Sequence, residues 1–236
     1  MPLSNKLKEE LSDRLRVSKI ALERAEHLYQ LKDYSGTVFS IQQSSELMSK
    51  YIIALIEKKE GYDNDTKKYK HDMHKLNLDL FTKPFENFDK KHKKNPIAIT
   101  IVLIFKNIMQ YDERVEEYKK LTENNVAKEK SYKKMRYASY DELKKVIEAV
   151  QKITNTTSLF SMDSNLIEVE ILLKAIKLFP IALYSSAHQF TTRYTDGDIK
   201  PWEYDENIGI VEAIPIFLEN LNSIYLNIDK MNKKLK

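Results

Sequence analysis

A chain of 236 residues that holds only four glycines and six prolines has few places to turn tightly. Tight turns need positive φ, which glycine supplies, or a fixed φ, which proline supplies, so this scarcity argues against a sheet-rich fold. Long helices with few connections fit instead. The apolar content of 42% suffices for a sizeable core, and the length suits one large helical domain or two small ones; a single domain over 1–236 is expected. Behind Ser4, a capping residue, Leu7, Leu11, Leu15, Leu22, Ala25 and Tyr29 recur at three- to four-residue spacing and predict a helix to about Leu31. After Lys32-Asp33-Tyr34-Ser35-Gly36 a second helix, residues 35–59, carries Val38, Ile41, Ser45, Met48, Ile52, Leu55 and Ile56 on one stripe. So short a connection makes the two helices antiparallel neighbours.

Turn residues at 61–65 close the second helix, and a third is expected over 71–81, limited by Pro84. Asn95-Pro96 pairs a capping residue with a proline at the first helical position. It opens an apolar run over 97–109 that continues as helix to about Leu121. Residues 122–136 are polar and Lys-rich, and are predicted as a mobile loop. Next come a helix over 140–153, a polar break at 154–158, and a helix capped by Asp163-Ser164 and kinked at Pro180. A last helix, 205–231, would contain Pro215 in its interior.

The absence of cysteine excludes disulfides, thiolate metal sites and a cysteine nucleophile, and suggests a reducing, cytoplasmic setting. Met1 to Lys6 has no apolar stretch of the kind a secretory signal needs. The run over 97–109 falls short of the roughly 20 apolar residues of a membrane span, so no membrane partner is expected. A mean hydropathy of -0.53 with 31% charged residues describes a solvated surface. The net charge of +4 is too weak by itself to mark a nucleic-acid binder, but it is unevenly spread. One basic group runs through Lys67, Lys68, Lys70, Lys75, Lys90, Lys91, Lys93 and Lys94. Another comprises Lys128, Lys130, Lys133, Lys134 and Arg136. Tyr69, Tyr132, Tyr137 and Tyr140 are interleaved with them and would allow base stacking, although such groups are more often simply solvated faces.

Three short segments narrow the reading: Gln43-Ser44-Ser45-Glu46-Leu47-Met48-Ser49-Lys50, then Lys70-His71-Asp72-Met73-His74-Lys75-Leu76, then Thr192-Arg193-Tyr194-Thr195-Asp196. In that order they resemble the Gln-Ala-Ala-Glu-x-x-x-Lys helix, the His-Asp-Leu turn and the Thr-Arg-Tyr-Pro-Asp segment of HEPN domains. These are small helical domains of toxin–antitoxin, phage-defence and nucleotide-binding proteins. The resemblance covers roughly 15–80 and 185–230. It implies an all-α, antiparallel HEPN-like bundle with residues of about 84–160 inserted as additional helices.

The resemblance also implies a groove near Glu46, Lys50, His71, Asp72, Arg193 and Tyr194 as candidate ligand-binding residues. Each has a plainer alternative. Glu46 and Lys50 form an i,i+4 pair in the favourable order. His71 and His74 share a helical face, but a zinc site would need a third protein ligand; His92 and Asp72 could serve, yet no second spaced motif supports them, so no metal and no cofactor are expected. Arg193 suits a phosphate, and equally an ion pair to Glu46 or Asp72 that locks the last helix to the first pair. HEPN ribonucleases carry an Arg followed four to six residues later by a His. None of Arg14, Arg16, Arg24, Arg114, Arg136 or Arg193 is so followed, and His188 precedes Arg193 instead.

The expectation is therefore a non-catalytic binding module, defence- or toxin–antitoxin-related, that binds a nucleotide, RNA or a partner protein such as a nucleotidyltransferase. Apolar stripes wider than one face needs also suggest a homodimer. The alternatives are a metal-independent RNase toxin with a rearranged active site and a purely structural oligomeric subunit.

Overall fold

The computed structural model describes residues 3–57, 73–92, 116, 124–161, 167–189, 191–194 and 197–235. Among the described residues the fold is all-α, with no strand. The chain runs through α1 (Asn5–Gln30), α2 (Tyr34–Glu57), α3 (Met73–His92), α4 (Asn125–Arg136), α5 (Tyr140–Ser161) and α6 (Ile167–Ala187). A 3-10 turn (Pro201–Glu203), the short α7 (Gly209–Glu212) and α8 (Ile214–Leu235) complete it.

The first two helices form as the periodicity predicts. Ser4 Oγ accepts from Leu7 N–H at 3.2 Å, which satisfies one of the donors a helix start leaves open. Lys32, at φ 59, ends the first run in the left-handed region. Asp33 then starts the second, its Oδ1 accepting from Gly36 N–H at 2.9 Å. The contacts between α1 and α2 run in opposite senses: Arg14 Nη1 donates to the Lys50 carbonyl, while Ser18 meets Ser44. At that crossing each serine hydroxyl bonds the other helix's carbonyl, at 3.2 and 3.0 Å. Small residues there let the two backbones approach closely without stranding a buried polar group.

At the centre lies α6, which packs against α2, α3, α4, α5 and α8. From Ile171 to Ala187 only Lys174, Lys177 and Tyr184 are even partly exposed. Burial holds both lysines below their ordinary range. Phe81 and Phe179 stack at 4.7 Å between ring centroids, and Asn77 Nδ2 donates to Ser186 Oγ at 3.1 Å, so α3 runs antiparallel to α6. Helix α8 closes the bundle against α1, with Asn222 on Glu26 and Asn232 on Ser12.

Four expectations are corrected. Residues 125–136 are helical rather than a loop: Asn124 Oδ1 caps the helix through Val126 and Ala127 N–H. Lys, Glu, Ala, Met and Arg are strong helix formers even where few apolar residues mark a face. The third helix does not stop near Pro84 but runs on to His92, because Phe81, Phe85 and Phe88, all buried, continue the apolar face across it and offset the lost hydrogen bond. No break occurs at 154–158; Thr154 is buried and its hydroxyl donates to the Gln151 carbonyl inside α5. Finally, the last long helix starts at Ile214, so Pro215 sits in its first turn, where a missing N–H costs nothing. The turn at 61–65, the helix over 97–121 and the Asp163-Ser164 cap lie outside the described residues.

Gly209 opens α7 against the turn between α4 and α5. A Cβ there would lie 2.2 Å from the Ala138 carbonyl oxygen and 2.8 Å from the Tyr140 nitrogen, both backbone atoms. Gly209→Ala should therefore cost about 1–3 kcal/mol through forced backbone displacement. Urea denaturation measures it, and an unchanged midpoint would refute the close approach.

Candidate functional site

Glu46 and Lys50 sit half-buried on α2 and satisfy each other. Lys50 Nζ is 2.6 Å from Glu46 Oε1, and Gln42 Nε2 donates to Glu46 Oε2 at 2.9 Å. The Lys50 carbonyl receives Arg14. Every strong acceptor of this pair is thus engaged by the helix pair itself. His71 and Asp72 lie outside the described residues.

Arg193 and Tyr194 come just after the C-terminal end of α6. The Arg193 guanidinium lies over the Phe39 ring on α2, 4.8 Å from its centroid, and 5.5 Å from that of Tyr194, while its Nε donates to the Gln189 carbonyl. A cation held between two aromatic faces is a packing contact. Among the described residues Arg193 forms no ion pair with Glu46 and docks onto α2 through Phe39; Asp72, the other expected partner, lies outside them.

Tyr194 belongs instead to a cleft of about 660 Å³ at the C-terminal ends of α4 and α6, the volume of a small-molecule site. Its walls are Glu129, Lys133 and Arg136 from α4, and Thr191, Tyr194, Gly197 and Asp198 from the chain after α6. Arg136 is the anchor. Although only 7% exposed, it donates through Nη1 to the Ala187 carbonyl at 3.2 Å and through Nη2 to Glu129 Oε1 at 2.5 Å and Asp198 Oδ2 at 3.1 Å. Its Nε lies 2.9 Å from Asp198 Oδ1, but the N–H is not aimed at that oxygen, so this contact is charge pairing and not a hydrogen bond. Burial alone would lower the guanidinium pKa; the hydrogen bonds to Glu129 and Asp198 outweigh it and hold it above its ordinary value. The Ala187 carbonyl is one of those a helix C-terminus leaves open, and a cation there also meets the negative end of the helix dipole.

Behind the cleft wall runs a chain of hydroxyls. Thr191 Oγ1 lies 2.6 Å from Tyr204 Oη, which lies 2.7 Å from His188 Nδ1. Thr191 lines the cleft, whereas His188 is 1% exposed. Burial, and then the nearby Arg136 charge, push the His188 imidazole down to about 3. Burial likewise raises the Tyr204 phenol. His188 Nε2 has no hydrogen-bond partner among the described residues. A neutral ring with Nδ1 spent on Tyr204 is poorly placed for acid–base chemistry on a ligand. His188 and Arg193 do not converge: one turns inward to Tyr204, the other outward to Phe39.

Sequence reasoning missed Glu129, Thr191 and Asp198, and saw Lys133 and Arg136 only as members of a basic group. The available signal was a single arginine ending a run of lysines, since a buried, bidentate position selects arginine. Among the described residues no three His, Asp or Glu side chains are grouped to hold a metal ion, and no helix is long and apolar enough to cross a membrane.

Because folded His188 stays neutral while the unfolded chain protonates below the ordinary histidine value of about 6.5, the unfolded state binds more protons between about 6.5 and about 3. Acidification across that window should destabilise the fold through this residue by up to about 1.4 kcal/mol per pH unit. Urea titrations of wild type and His188→Gln at several pH values isolate it: the wild-type advantage should shrink from about pH 6.5 to about pH 4. A constant difference would contradict a buried neutral imidazole. The chain matches no family model, no curated protein and no solved structure, so what the site can do rests on its own geometry.

Proposed function

We propose that this chain is a non-catalytic helical binding module of the defence or toxin–antitoxin kind, HEPN-like in fold, that binds a nucleotide, RNA or a protein partner. The observation that carries it is the cleft at the end of α4, where Lys133, Arg136 and the half-exposed Tyr194 share one cavity. Cations paired with an aromatic ring suit a phosphate-bearing ligand with a stacking base. The Glu46 and Lys50 pair supports such binding less, because its groups bond each other and neither lines this cleft. The inward-turned His188 and the missing Arg-to-His spacing support a binding role over RNA cleavage.

A homodimer in a cytoplasmic setting belongs to the same reading. The cysteine-free composition supports the setting. Val17 and Ile20 on α1, and Leu226 on the neighbouring α8, are exposed and support an apolar contact. Contacts of Glu26 with Asn222 and of Ser12 with Asn232 imply that Ile20 and Leu226 lie at the same level of the two helices. Light scattering at micromolar concentration should report twice the chain mass, and a monomer mass would remove the dimer.

For the binding role, filter binding with single-stranded RNA and nucleotides is the direct test. Binding should weaken steeply from low to physiological salt, as counterion release requires, and Lys133→Ala should weaken it further while the RNA stays intact. RNA cleavage that disappears in His188→Ala would replace this reading with the nuclease. Absence of binding to RNA, to nucleotides and to any protein co-purified from the native host would refute it.

A further inference from the structure

Glu129 and Arg136 stand seven residues apart on one helix, two turns, or about 10.5 Å along the axis. They meet only because both side chains stretch along the helix, Glu129 Oε1 reaching Arg136 Nη2 at 2.5 Å. The two ends differ sharply in environment. Arg136 is held by the Ala187 carbonyl and Asp198 and is 7% exposed; Glu129 is 67% exposed. Releasing Glu129 therefore leaves the guanidinium oriented by its two inner partners. Lys133 lies between them, four residues after Glu129 and three before Arg136, on the same ridge. With Glu129 swung out, α4 presents two cations a turn apart to the cleft, which Thr191 and Tyr194 also line.

We propose, building on the binding-module reading above, that this cleft takes a phosphate monoester carrying a planar ring, the chemistry of a nucleoside 5′-monophosphate, and that Glu129 is its internal stand-in, occupying the phosphate position until the ligand displaces it. Only certain anions can do so. A tethered carboxylate competes at an effective concentration of order millimolar, so a free monoanion gains nothing by replacing it. A phosphate dianion can meet Lys133 and the outer edge of Arg136 at once, while Asp198 keeps the inner edge, and a ring adds stacking on Tyr194. Inorganic phosphate, which lacks the ring, binds more weakly. The cavity, at about 660 Å³, fits such a ligand.

Calorimetry with adenosine and guanosine 5′-monophosphate, the matching nucleosides, inorganic phosphate and a single-stranded RNA oligomer tests this on the whole chain. Glu129→Gln, which leaves Arg136 its contacts with Ala187 and Asp198, should keep a cooperative melt and tighten monophosphate binding roughly three- to tenfold. Tyr194→Ala should weaken the monophosphates about tenfold and leave inorganic phosphate unchanged. Lys133→Ala should weaken both. Monophosphate affinity unmoved by Glu129→Gln, or nucleosides binding as well as their monophosphates, would overturn the proposal. RNA binding without monophosphate binding would overturn it too and leave the binding-module reading standing. Failure of every ligand, with no partner protein co-purifying, would remove both.

Discussion

A helix that is apolar over most of its circumference has to be covered over most of it, and α6, whose solvent stripe over 170–187 is only Glu170, Lys174, Lys177 and Tyr184, imposes that demand on the rest of the chain. Burying Leu172, Ile176, Phe179, Ile181 and Leu183 together leaves only that narrow stripe to solvent. Helices α2, α3, α5 and α8 answer by each laying an apolar stripe on it. Their polar residues are then confined to the outside or to helix crossings, where small hydroxyls such as Ser44, Ser45, Ser185 and Ser186 bond within or across the helices. Polar side chains in the core thus act mainly as self-satisfied spacers between backbones. Chemistry that needs unpaired donors has to sit where α6 stops.

That stop is at Ala187, and within a few residues of it the chain passes from packing to recognition. The open carbonyls of α6 require donors, and Arg136 supplies one from another helix. In doing so it brings the end of α4 against the chain beyond α6 and creates the concavity between them. Asp198 neutralises the arginine from the far wall, and Thr191, Tyr204 and His188 link that wall to the interior. The cleft is therefore a by-product of capping a buried helix.

The fold is legible wherever apolar residues repeat with helical period: α1, α2 and the start of α6 lie where Leu7 to Tyr29, Val38 to Ile56 and Ile167 to Leu178 put them. It is obscured where composition and periodicity disagree. Around Pro84 a breaker competes with the aromatic face of Phe81, Phe85 and Phe88, and packing against α6 outweighs one missing hydrogen bond. At 125–136 the scarcity of large apolar residues hides a helix that Lys, Glu, Ala, Met and Arg favour by backbone propensity and that Tyr132 and Arg136 dock on the bundle. Of the candidate residues, Tyr194 reaches the cleft, while Arg193 and the Glu46–Lys50 pair find partners elsewhere. The cleft itself is illegible in the sequence because its walls come from segments more than fifty residues apart. Nothing in the order of Glu129, Arg136, Thr191 and Asp198 announces their meeting. Only tertiary contact through Ala187 brings them together.

The same geometry explains why structural and binding roles can share Arg136 without conflict. A guanidinium has five donors in a fixed fork. Two inward contacts, to Ala187 and Asp198, are enough to fix its plane, and both belong to the folded scaffold. The contact with Glu129 is exposed on the carboxylate side only, and its release still leaves the buried guanidinium paired with Asp198. Stability is thus concentrated in the inner half of the fork and adaptability in the outer half. A lysine at this position would have to choose between capping α6 and meeting an anion, because its single ammonium presents no fixed plane. Arginine does both, which is the physical reason for one arginine at the end of a helix whose other cations are lysines.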